Sequence, residues 1–147
     1  MELLDKFDTI RVINAKGEEK IATVVRYNRN VDLALLKVDM LFESPFRLPE
    51  AKNFNVLQTV YAIGTPKSRE LGQSVSVGII SSERKAKNLE LIQLSMSVNS
   101  GNSGGPVIDD KGALCGVVVS KLFGFGTEGI GFAIPAYKIA QYLNISY

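Results

Sequence analysis

Asn99-Ser100-Gly101-Asn102-Ser103-Gly104-Gly105-Pro106 is the stretch from which the rest of the chain can be read. It stands between an apolar run at residues 89–94 and the β-branched pair Val107-Ile108. Glycines at 101, 104 and 105 let a backbone turn sharply and bring its N–H groups close to a ligand. A serine on such a turn can be presented as a nucleophile. The N–H groups of Gly101 and Ser103, with Asn102 between them, could converge on an oxyanion. By residue type alone the same stretch also fits a plain loop joining two strands.

Outward from this loop, short strand-forming runs recur with turn residues between them. Residues 106–108 and 113–120 make a hairpin around Asp109-Asp110-Lys111-Gly112, and 130–134 is a last strand after a glycine-bearing loop. On the other side, 73–82 and 89–94 pair around a basic tip, Arg84-Lys85-Ala86-Lys87, and Gly78 suggests a bulge or a barrel corner. Residues 59–63 form a strand that ends at Gly64-Thr65-Pro66. Further back, 9–13 and 20–27 pair through Asn14-Ala15-Lys16-Gly17. The run LALLKV at 33–38 has the pattern of a strand buried on both faces, with Asp32 immediately before it. Residues 39–56, broken by Pro45 and Pro49, read as a long connection. Only the tail is helical, with Pro135 at a first turn and Ile139, Tyr142 and Leu143 striping one face. Many short strands and one terminal helix describe an antiparallel barrel or sandwich.

Composition sets limits on function. At 147 residues the chain is one domain, and a 46% hydrophobic fraction suits a packed core. A net charge of +2 without any block of like charge offers no nucleic-acid surface. No apolar run approaches the ~18 residues a membrane helix needs, and the opening MELLDKFD is too acidic for a leader peptide. Cys115 is the single cysteine, so no internal disulfide forms and no zinc cluster is available. Its apolar neighbours make it a small core residue rather than a reactive thiol. No metal or cofactor is expected. The sequence contains no histidine, so no histidine-dependent chemistry is complete within these residues.

Five stretches, in order, resemble a trypsin-like serine peptidase of the HtrA/Deg type. They are Val31-Asp32-Leu33-Ala34-Leu35-Leu36-Lys37-Val38, Ala62-Ile63-Gly64-Thr65-Pro66, the strand from Gln73 to Ser81, the serine loop with Val107, and Gly129-Ile130-Gly131-Phe132-Ala133-Ile134-Pro135. The resemblance implies an all-β double antiparallel β-barrel with a catalytic cleft between the barrels and one C-terminal α-helix. The first barrel would be incomplete. On that basis residues 1–50 are the partial first barrel, 51–135 the second and 136–144 the helix. The resemblance implies Ser103 as the nucleophile and Asp32 as the carboxylate that orients a histidine. The Gly101, Asn102 and Ser103 segment would form the oxyanion hole. Val98, Val118, Val119 and Ser120 would surround the side chain before the scissile bond. With no acidic residue in that stretch, an aliphatic side chain is expected there ahead of Lys or Arg.

By residue type, Asp32 also fits a strand-start cap or an ion pair with Arg29, and the valines fit an ordinary core. The family's "TNxHV" histidine segment, expected just before these residues, is absent from the sequence. Loss of a triad base costs on the order of 10⁶ in turnover. The reading is therefore an N-terminally truncated serine endopeptidase domain, inactive by itself, acting on a peptide or unfolded-protein substrate. The alternative is a peptidase-derived scaffold that binds peptides without cutting them. Missing opening strands would leave an unpaired sheet edge, to be covered by a second copy or paid for in stability. The family resemblance suggests an extracytoplasmic setting, about which the composition is silent.

Overall fold

The computed structural model describes residues 9–65, 73–96, 98, 101–119 and 129–146. Within these lie β1 (Ile10–Ile13), β2 (Glu19–Asn28), β3 (Leu33–Val38), β4 (Thr59–Gly64), β5 (Ser74–Ala86), β6 (Leu89–Leu94), β7 (Pro106–Ile108), β8 (Leu114–Val119) and β9 (Gly131–Pro135). All pairings among them are antiparallel. The last six strands form a closed barrel in the order β4-β5-β6-β9-β8-β7, and β1-β2-β3 form a separate open sheet. The expected combination of one closed and one incomplete barrel is what the chain builds.

Val60 and Ala62 of β4, Ile80 of β5, Ile92 and Leu94 of β6, Val107 of β7, Val118 of β8 and Ala133 of β9 fill the barrel. A second cluster lies outside it. Val31, Leu33 and Leu35 pack there with Leu91, Val119 and Ile134 from the barrel wall and with Ile139 and Leu143 from the tail. This cluster joins the open sheet to the barrel. Asn28 adds a hydrogen bond from Nδ2 to the Tyr142 carbonyl at 2.8 Å.

Two-sided burial falls on β8 rather than on LALLKV. In β3 only Leu33 is buried, while Ala34, Leu36 and Lys37 are exposed, because among the described residues β3 is an edge strand that pairs with β2 alone. β8 has the barrel core on one side and the second cluster on the other, so Cys115 and Val118 face one and Leu114 and Val119 the other. Gly78 is not a bulge either. It pairs regularly with Val60, and a Cβ there would press on Met96 at 2.8 Å. The register shift lies further on, between Ile80 and Ser82. The basic tip is also shorter than expected, because Arg84 and Lys85 belong to β5 and only Lys87-Asn88 turn. Both have positive φ, 51° and 67°, as a two-residue hairpin turn of the I′ kind requires.

The tail divides into one turn of 3₁₀ helix, Ala136–Lys138, followed by α1, Ile139–Leu143. Asn144 stops it with a left-handed φ of 52°. The Tyr137 hydroxyl donates to Glu90 Oε2 at 2.6 Å, and the Glu90 N–H donates to the Tyr142 hydroxyl at 3.0 Å. The Tyr137 phenol, with Lys138 in support, holds the Glu90 carboxyl below its usual range. Burial, then the bond to Glu90, pushes the Tyr137 phenol up to about 12.

Candidate functional site

The serine loop takes its shape from four backbone hydrogen bonds. The Gly105 N–H donates to the Asn102 carbonyl at 2.9 Å, closing a turn with Ser103 and Gly104 at its centre. Gly104 has φ +85°, the left-handed value that the third residue of a type II turn needs and that only glycine adopts freely. The Gly104 N–H donates to the Val118 carbonyl at 2.8 Å, and the Val118 N–H returns to the Gly105 carbonyl at 2.9 Å. On the other flank the Thr65 N–H donates to the Gly101 carbonyl at 3.0 Å. Gly105 lies so close to the Ile63 carbonyl oxygen that no Cβ fits there.

This bonding leaves Ser103 exposed on the surface of the turn. The N–H groups of Gly104 and Gly105 are tied into the fold, whereas the Ser103 N–H has no acceptor among the described residues. Asn102 is buried at 8% exposure, with its side chain against Gly64. By residue type Gly64-Thr65 is a simple turn at the end of β4. Its contact with the loop was not legible, because nothing in the local pattern links residues nearly forty positions apart.

Asp32 lies just before β3 with φ +57°, a left-handed conformation that Asp and Asn tolerate better than other side chains. Val31 at 4% and Leu33 at 8% exposure anchor the backbone on either side of it. No ion pair joins Asp32 to Arg29 among the described residues. The Arg29 guanidinium instead sits over the Tyr27 ring, 5.7 Å from its centroid. Val119, beside the carbonyl that holds the serine loop, shares a buried cluster with the two anchors of Asp32. The loop and Asp32 therefore rest on one continuous packed body.

Val98 is half-buried at the edge of the barrel core, with its methyl groups over Gly131. Val118 and Val119 are 1% and 3% exposed, in the barrel core and the second cluster respectively. Ser120 lies outside the described residues. Cys115 is fully buried, and burial, with Asp109 nearby, pushes its thiol up to about 11, an unreactive core position. No group of acidic, Cys or His side chains able to hold a metal occurs among the described residues.

Residues 2–117 match the family described as the trypsin-like peptidase domain. The chain belongs to the trypsin-like peptidases, of the HtrA type. It is 31% identical to the serine protease Do-like HtrA of Lactobacillus helveticus over 93% of this chain and 36% of that protein. The corresponding Bacillus subtilis protein is 30% identical over 89% of this chain and 31% of its own length. Among solved structures, the HtrA-type protease AlgW with a tripeptide superposes with a TM-score of 0.75 at 34% identity, covering 91% of this chain and 47% of that one. The decapeptide complex of AlgW gives the same TM-score and identity. The HtrA-type chain thus spans about a third of the length of these curated relatives. Its closed barrel and partial sheet form a peptidase domain of that family, and no described helix is long and apolar enough to cross a membrane.

Proposed function

We propose that this HtrA-type domain is part of a serine endopeptidase that cleaves peptide bonds through an acyl-enzyme on Ser103. The observation that carries the reading is the serine turn, in which the hydroxyl-bearing residue is exposed and its own N–H is left without an acceptor among the described residues. Ser103 Oγ attacks the substrate carbonyl. The Ser103 N–H, with that of Gly101 and the peptide of Asn102, stabilises the oxyanion that forms. A histidine takes the serine proton and returns it to the leaving amine, and Asp32 holds that ring in the required tautomer. The sequence has no histidine, so the base comes from outside these 147 residues. Val98 offers an uncharged wall for the side chain before the scissile bond, a role that Val118 and Val119, packed into opposite faces of β8, do not share. Unfolded proteins or peptides with an aliphatic residue there are the substrates; the tripeptide and the decapeptide bound to AlgW support peptides as the ligand class.

The absence of histidine favours a second reading, a domain that holds peptides by strand addition without turnover. A fluorophosphonate probe separates the two. It is applied to the chain alone and to a longer form that carries a histidine segment upstream. Labelling of Ser103 in the longer form only is the expected result, whereas labelling of neither supports the binding module. In the labelled form Asp32→Asn should slow acylation by a factor on the order of 10⁴. Stability should change little, since asparagine also accepts the left-handed φ at position 32.

A further inference from the structure

We infer that the Asn102 side chain is a positioning residue, seated in the notch that Gly64 leaves at the end of β4, and that it aims the Ser103 N–H. The inference deepens the proposed function and rests on its reading of the serine turn. Asn102 is the only buried polar residue among those described. A Cβ on Gly64 would lie 3.0 Å from Asn102 Cγ and 3.1 Å from each of Nδ2 and Oδ1. Those near-equal distances put the amide broadside against Gly64, filling the space where any other residue would carry its side chain. The residues on either side of Gly64 grip the same loop. The Thr65 N–H holds the Gly101 carbonyl at 3.0 Å, and the Ile63 carbonyl oxygen backs onto Gly105.

The consequence follows from peptide geometry. The Ser103 N–H belongs to the planar, trans peptide group that joins Asn102 to Ser103, so it points opposite to the Asn102 carbonyl. That carbonyl is held by the Gly105 N–H at 2.9 Å, and the Asn102 side chain is held by Gly64. With the oxygen and the adjoining side chain both fixed, the peptide plane cannot turn. The N–H stays directed away from the fold, organised before any oxyanion forms.

Amide hydrogen exchange on the 147-residue chain tests this without requiring activity. Asn102→Ala should speed exchange at the Thr65 and Gly105 amides by roughly tenfold or more, with the barrel amides of Val60 and Ile92 unchanged. Asn102→Asp, which keeps the shape, should restore the slow exchange. Gly64→Ala, whose methyl competes for the notch, should reproduce the alanine effect and serves as the test if Asn102→Ala does not fold. Wild-type exchange at Thr65 and Gly105 in the variant that folds would overturn the inference. In the histidine-bearing form, Asn102→Ala should also cut the rate of Ser103 labelling about tenfold, with rescue by Asn102→Asp. A wild type that never labels removes the peptidase reading, and the exchange data then decide the role of Asn102 alone.

Discussion

At residue scale, single atoms decide whether the serine turn exists. Gly105 has the Ile63 carbonyl oxygen where a methyl group would be, and the obstacle is backbone that cannot rotate aside. Gly105→Ala should therefore displace the loop, cost about 1–3 kcal/mol in a urea melt and abolish labelling of Ser103 in the histidine-bearing form. A melt and labelling rate equal to wild type would show that the loop is not gripped there. Gly104 differs. Its neighbourhood is open, and only its φ of +85° resists substitution, so the constraint at 104 is conformational while that at 105 is steric.

Among the elements, the β5–β6 hairpin carries a correctable strain. Lys87 takes a φ of 51° in the two-residue turn, a conformation in which lysine has no side-chain compensation. Lys87→Gly or Lys87→Asn should raise stability by about 0.5–1 kcal/mol, read as a higher urea midpoint at unchanged slope. The junction between β6 and the tail should be sensitive to pH. The Glu90 carboxyl is held below its ordinary value of 4.5 in the folded chain. Its stabilisation is therefore present above that value and is lost as pH falls through the folded one. The Tyr137 phenol is raised from 10.0 to about 12, so its share is complete below 10.0 and fades as pH rises toward 12. The melting temperature should fall at both extremes, and Glu90→Gln should flatten the acid limb, a change that thermal melts between pH 7 and pH 3 would register.

Over the whole molecule, stability should be unevenly distributed. The closed barrel has no free edge, whereas among the described residues the open sheet has two, at β1 and β3, and leaves Ile21, Val25 and Tyr27 more than half exposed. Native-state exchange should protect the β4 and β6 amides most and release those of β1 first. Ile92→Ala, in a fully buried barrel position, should cost about 2–5 kcal/mol. Equal protection across both sheets would mean that the second cluster, built on Leu33, Leu91 and Ile134, couples them into one cooperative unit.

Strand positions, the Asp109 turn, the tail helix and the serine loop were legible in the sequence, because each depends on local alternation, turn chemistry or a short motif. Those signals also carried the family, through runs such as LALLKV and the glycine-lined serine. Which faces are buried was not legible. LALLKV and the β8 run are both nearly all apolar, and only packing made β3 an edge and gave β8 a core on each side. The fit of Asn102 on Gly64 was equally hidden, since contact between segments distant in sequence leaves no periodic trace in either. The sequence by itself determined which residues form strands and where the chain turns, because backbone preference and hydrophobic period are local properties. Only the tertiary structure decided what each strand faces and what holds the serine turn in place, because those depend on atoms brought together by the whole fold.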